Sequence, residues 1–478
     1  LSLQTRIRQV FDRIPKASQA QLLEAIHAEA TRRHLIYLRD GQLETIRVMA
    51  CPLAALPDQM AYVNWVALTI QNAIKRLPEL YLRDSKVRRI LKLQPEEKEW
   101  LRRCWGPSHC DQNPVFGRLD AVADFGSPHW QDTLQFVEPN LSGIGGLHLV
   151  PTAESIIADL IIPVLHGLDE ELELDVCPDI RELLMQEAID HLKAVGRPAR
   201  TVCFVEPKYA GTGPDEQAAL ARHFEDRYGI RTVHADPAEL EVRGREVYCE
   251  SECIDVAYRD YPICDLIELD HAGVDIRPMK TLFEQNRIIS SVAGDFDHKS
   301  CWEILTDPSL TNKYFNADER RVFARHVLWT RVLADRRTLL PDGTKGELLA
   351  YAETHQTNLV LKPNRDYGGH GVVIGNAVSR ANWETALEGA VAGKDAYVVQ
   401  QLTQVPVNDF PFLDRQKVRA KAFYTVLGFA PSRYGLAVLG RASQKQVVNV
   451  AQKGGMCVVL TGRPPMRLLG PARSLGVS

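Results

Sequence analysis

The sequence predicts an α/β (α+β) protein of several domains, and three observations carry that reading. Its 478 residues suffice for two or three domains, each with a core. Between Leu172 and Pro278, strand-like runs alternate with helical ones, the pattern of a small parallel sheet and hence of a Rossmann-like unit. Around it, the first hundred residues carry helical periodicity, and the last third alternates turns with strands.

Taken in order, the elements give four expected regions. Residues 1–110 form a helical N-terminal region: QAQLLEAIHAEATRRHL and VNWVALTIQNAIKRL have helical spacing, and LQPEEKEWLRRCW starts with Pro and two Glu, a good first turn. In residues 111–171, VFGRLDAVADF and TLQFVEPN read as strands joined through GSPHWQD, followed by the helix PTAESIIADLIIPVL. Residues 172–285 hold the strands ARTVCFVEP, IRTVHAD and CIDVAYRD, the helix EQAALARHFEDRYG closing on glycine, and ELEVRGREVYC as two strands about an Arg-Gly turn. This middle has no GxGxxG, so no dinucleotide site is read there. Residues 286–478 begin with helical DHKSCWEIL and ERRVFARHVLWTRVL, then continue through LVLKPNRDYGGHGVVIG, the helix WETALEGAVA and further strands.

Composition narrows the function. A net charge of -4 supplies no basic field for nucleic acid. No window reads as a bilayer span, the run Leu160–Leu165 being too short, and LSLQTRIRQVFDRI reads as an amphipathic helix, not a signal peptide. Among ten scattered cysteines, Cys249 and Cys253 are the closest pair and no second pair sits at zinc spacing, so the cysteines are expected to be reduced in a cytoplasmic protein.

The chemistry concentrates in a few motifs. In LVLKPNRDYGGHGVVIG, Gly368, Gly369 and Gly371 uncover backbone amides that can cradle an anion, and Lys362 adds a point charge suited to phosphate. The loop lies between two strands, which excludes a P-loop and leaves either a phosphate flap or a plain glycine hairpin. Downstream, the strand VVQQL ends in Gln400 and Gln401, amides able to meet an adenine edge; upstream, Lys299 is a second candidate phosphate lysine or a surface one. In GRLD, Arg118 and Asp120 share one strand face, as Glu138 and Asn140 do in FVEPN. Such oxygens suit magnesium, and the arginine suits a γ-phosphate; singly, each dyad also fits an exposed strand face.

Together, GRLD, FVEPNLSG, DHKSCWEIL, LVLKPNRDYGGHGVVIG and VVQQL resemble the circularly permuted ATP-grasp proteins, the group of glutathionylspermidine synthase-like ligases. The metal-type strands precede the lysines, which is the permuted order. The resemblance implies an ATP-grasp fold, ATP and Mg2+ as cofactors, and small-molecule or peptide carboxylate and amine substrates joined through an acyl phosphate. It implies that Lys299, Lys362, Gly368, Gly369 and Gly371 hold phosphates, and that Gln400, Gln401 and Leu402 form the adenine hinge. Asp120, Glu138 and Asn140 would hold magnesium, while Arg118 and Arg441 would serve the transferred phosphate. Asn449, Gly454 and Gly455 would close the site, and Ser142 and Gly143 would touch phosphate or carboxylate or simply form a turn. The acidic run DEELELD and Arg259 are weaker candidates for an amine and a carboxylate. A nucleotide-binding scaffold without turnover and a phosphotransferase are the alternative readings.

Overall fold

The computed structural model describes residues 2–39, 41–366, 369–393, 395–415, 417–445 and 454–463. Its largest sheet is assembled from distant parts of the chain. The sixteen-residue strand Lys417–Ser432 pairs with Gly435–Ser443 along one edge and with Arg118–Val122 along the other, and Gln135–Asn140 follows beyond. Val407–Asp414 covers the first half of the long strand, while Gly455–Met456 and Arg47–Val48 extend the far edge, giving seven strands. The long strand alternates at its start and is continuously buried from Leu427 onward, where both edges are paired.

A second sheet runs in the order Thr330–Val332, Tyr397–Gln401, Leu359–Pro363, Val373–Ile374, all antiparallel. The LVLKPNRDYGGHGVVIG stretch is therefore a hairpin, with Val360 opposite Ile374. Helices Leu348–Thr354 and Arg380–Ala392 cover this sheet around a separate small core containing Trp329 and Trp383.

The middle forms a four-stranded parallel sheet in the order Arg231–Ala235, Thr201–Val205, Val256–Arg259, Ile288–Ile289. Thr201–Val205 is buried throughout, as a strand covered on both faces must be. Helix Gln217–Tyr228 closes on Gly229 at φ 64°, the left-handed cap that glycine permits.

Three expectations need correction. The N-terminal region is not wholly helical: Ile36–Arg39, Gln42–Thr45, Arg47–Val48 and Leu53–Ala55 are strands. Helix Lys16–Arg32 stops before the hairpin of Ile36–Arg39 with Gln42–Thr45, which the helical periodicity of the preceding segment masks. ERRVFARHVLWTRVL is also split: helix Ala317–His326 ends, and Thr330–Val332 pairs as a strand. The stretch Leu149–Leu168 is, by length and composition, apolar enough to cross a membrane, although 56% of its window is buried inside the protein. It consists of two helices, Leu149–Leu160 and Ile162–Leu168, with Pro163 near the start of the second, and reading only its centre underestimates its length.

Where the hairpin leaves its sheet, Gly375 lies against the backbone of Gln356. A Cβ there would stand 1.9 Å from the Gln356 carbonyl oxygen. Gly375→Ala is expected to destabilise the protein by about 1–3 kcal/mol, read as a lowered midpoint in urea unfolding.

Candidate active site

Arg118–Val122 and Gln135–Asn140 pair so that Asp120 opposes Glu138 and Arg118 opposes Asn140. The two-residue period sends all four side chains to one face. There Asp120 is a hub. Arg118 Nε donates to its Oδ1 at 2.8 Å, Arg441 Nη2 pairs with its Oδ2 at 2.7 Å, and Asn140 Nδ2 donates to Oδ2 at 3.1 Å. Burial pushes the Asp120 carboxyl up, but the two guanidiniums outweigh it and hold the group below the usual carboxylate range. Arg441 reaches Asp120 because Gly435–Ser443 lies one strand beyond Lys417–Ser432, where Gly428 faces Asp120. Gly428 also makes room for Arg118, whose Cδ would lie 2.1 Å from a Cβ at that position.

The hairpin supplies the opposite wall. Lys362 is buried, and among the described residues no carboxylate lies within ion-pair distance of it. Burial lowers its ammonium to about 8, although Glu138 pulls it back up. Lys299 Nζ donates to the Asp366 carbonyl at 2.6 Å and lies 3.6 Å from Glu138 Oε2. Asn364 ties the two lysine segments together: its carbonyl accepts from Lys299 N at 3.1 Å, and its Oδ1 accepts from Ser300 N at 2.8 Å.

Between the walls lies a cleft of about 270 Å³, which Arg118, Asp120, Glu138, Asn140, Lys362 and Arg441 all line. Val137, Leu328, Val360 and Ile374 line it too, forming an apolar slot beside the charges. Gln401 and Leu402 stand at its mouth, as does Gly369, which has φ 75°. Gln400 also lines the cleft, but its side chain is buried, and its Nε2 donates to the Val137 carbonyl at 3.1 Å and to Thr330 Oγ1 at 2.9 Å. Gly371, at φ 65°, packs against Pro363. Gly368 and Asn449 lie outside the described residues. Gly454 leads into Gly455, which pairs with Ala442 in the large sheet.

With this geometry in place, solved structures supply an informative likeness. The chain shares its fold with a glutathione synthetase-like effector from Globodera pallida. That likeness has a TM-score of 0.55 at 12% identity and covers 93% of this chain and 97% of that one. Two further likenesses are too distant to carry the fold. A putative gamma-glutamylcysteine synthetase from Methylobacillus flagellatus KT has a TM-score of 0.38 at 11% identity, covering 82% of this chain and 87% of that one. A RimK domain ATP-grasp protein from Sphaerobacter thermophilus DSM 20745 has a TM-score of 0.25 at 15% identity, covering 53% and 97%. No family model and no curated protein matches the chain in sequence.

The weaker sequence candidates are occupied within the protein. Arg259 is fully buried and donates to Asp295 and to the carbonyls of Ser290, Ser291 and Tyr261, so it has no guanidinium edge for a substrate. In DEELELD, Asp169 and Glu171 grip Arg6 at 2.7 and 2.8 Å. Ser142 donates to Asp297 through both its backbone N–H, at 3.1 Å, and its hydroxyl, at 3.2 Å. All ten cysteines are free, and seven are buried.

Sequence reasoning passed over a second pocket, of about 90 Å³, at the C-terminal ends of the parallel strands. Glu206, Glu216 and Asp260 line it, with no lysine or arginine among the lining residues. Burial and Glu206 raise the Asp260 carboxyl to about 6, against the pull of Arg118. The Arg-Asp pair in YRD is the only local signal for Asp260, and it drew attention to the arginine instead.

Gly428→Ala is expected to push Arg118 off Asp120 and destabilise the protein by about 1–3 kcal/mol, with little change in the far-ultraviolet spectrum; the midpoint of urea unfolding checks this.

Proposed function

We propose that the chain is an ATP-dependent carboxylate-amine ligase, releasing ADP and phosphate, built on a circularly permuted ATP-grasp plan with a Rossmann-like middle. One observation carries the reading: Lys362 lines a single cleft together with a carboxylate-amide-arginine cluster and an apolar slot, and Lys299 lies 3.6 Å from Glu138 of that cluster. The permuted order is supported by Arg118–Val122, which precedes the lysines in the chain yet lies in the same sheet as Lys417–Ser432. The free cysteines fit a reducing, cytoplasmic setting.

In this reading adenine enters the slot, where Gln401, Leu402 and the strand end beside them meet its edge. Gln400 fixes that strand end from inside through its bonds to Val137 and Thr330. Lys362 and Lys299 meet the phosphates, and the turn at Gly369 and Gly371 covers them. Glu138 and Asn140 would hold magnesium: Glu138 has a single long ion pair, and Asn140 spends its amide hydrogen on Asp120, leaving its Oδ1 for a cation. Both Asp120 oxygens already serve donors, so Asp120 would join the metal only by releasing an arginine. Magnesium supplies charge neutralisation at the phosphates and a fixed geometry for transfer.

Arg118 and Arg441 orient the γ-phosphoryl group and the substrate carboxylate. A carboxylate oxygen attacks γ-phosphorus as the bond to ADP breaks. The amine nitrogen then attacks the acyl carbon, and phosphate leaves. Asp260, in the acidic pocket at the ends of the parallel strands, takes the proton lost by the amine; its carboxyl near 6 is mostly ionised at neutral pH.

Hydroxylamine intercepts acyl phosphates as hydroxamates. With Mg-ATP and pooled carboxylic acids, the wild type is expected to form hydroxamate, and Lys362→Ala and Glu138→Ala at least a hundredfold less. Equal hydroxamate from Glu138→Ala would contradict the metal assignment. Asp260→Asn is expected to slow amide formation by about 100-fold while sparing hydroxamate, because hydroxylamine needs no base at neutral pH. In the wild type, the amide-forming rate should fall as pH drops through about 6, where Asp260 protonates.

A further inference from the structure

A cleft of about 700 Å³ lies apart from the nucleotide cleft and shares none of its lining residues. It opens where helix Pro57–Ile74 ends, between helix Ile180–Ala194 and the turn at Arg433. Lys75, the residue that caps the first helix, lines it and is half-buried. Among the described residues no carboxylate lies within ion-pair distance of Lys75, and burial lowers its ammonium below the usual lysine range.

Three carboxylates line the cleft, Asp111, Glu187 and Asp190, and the last two are committed elsewhere. Glu187 accepts from the Ser432 hydroxyl at 2.8 Å and lies 3.8 Å from Arg433. Asp190 holds Arg433 at 2.7 Å and also accepts from the Tyr434 hydroxyl. The lysine backbone is fixed in place, since Asn113 Nδ2 donates to the Lys75 carbonyl at 2.9 Å. Burial costs the half-buried Lys75 ammonium more than the attraction of Glu187 returns, and an anion arriving in the cleft offsets that cost. The volume lies in the range of small-molecule sites.

We propose that this cleft is a second ligand site, which binds a small anion carrying a carboxylate or phosphate group, with Lys75 as its counter-charge. The site is separate from the nucleotide cleft and stands whether or not the ligase reading does. Helix Pro57–Ile74 and the Ser432–Arg433 turn frame it, and the turn continues the long strand that faces Asp120.

The test is calorimetric titration with inorganic phosphate and, separately, succinate, on the Lys362→Ala protein, whose nucleotide cleft has lost its buried lysine. One site is expected for at least one probe, and the stronger probe tells phosphate chemistry from carboxylate chemistry. Adding Lys75→Met, which keeps the stem without the charge, should weaken that binding at least tenfold, while Lys75→Arg should stay within a few-fold. Thermal melts of each variant establish that it is folded. Binding unchanged by Lys75→Met, or no binding of either probe to the folded Lys362→Ala protein, would overturn the proposal.

Discussion

The Asp120 carboxylate lies between two guanidiniums, Arg118 from its own strand and Arg441 from a strand more than three hundred residues later, and the geometry of the cleft depends on that contact. It is buried, so neither arginine is free to drift into solvent without leaving a charge uncompensated. It also crosses the long strand at Gly428, the residue whose missing side chain lets Arg118 lie flat. Early and late parts of the chain are thereby fastened into one sheet, with Glu138 and Asn140 carried to the same face by register alone.

Charge across the cleft is unbalanced in an informative way. Two guanidiniums share one aspartate, and two lysines face one glutamate. Lys362 bears the largest cost, because burial has lowered its ammonium to about 8 without a carboxylate at contact distance. In the proposed reading an arriving polyphosphate relieves that cost, which joins the apolar slot and the lysines into one nucleotide site. The Asp260 carboxyl is raised for the mirror reason, lack of water around an anion, which is the basis for the proton-accepting role proposed for it.

Much of this was legible in the sequence because it rests on short-range rules. Period-two spacing put Arg118 with Asp120 and Glu138 with Asn140, and the glycine turn between two apolar runs gave the hairpin. What escaped depends on tertiary contact. Adjacent glutamines look alike in VVQQL, yet Gln400 turns inward to Thr330 while Gln401 faces out, a difference set by pairing on both sides of the strand. Thr330–Val332 continues an apolar helical pattern and becomes a strand only because Tyr397–Gln401 is there to pair with it. Arg259 resembled a ligand-binding arginine but is consumed by Asp295 and three carbonyls. The fold as a whole matches a glutathione synthetase-like effector at only 12% identity.

The central claim is that Lys362 is the buried counter-charge of a nucleotide phosphate. The most direct test is calorimetry of ATP binding with magnesium at pH 8, repeated in buffers of different ionisation enthalpy to count protons. With an ammonium near 8 in the free protein, phosphate binding should draw up about half a proton per nucleotide. Lys362→Ala should abolish that uptake and weaken binding at least tenfold. ATP binding that takes up no proton and is indifferent to Lys362→Ala, or no binding at all, would contradict the account.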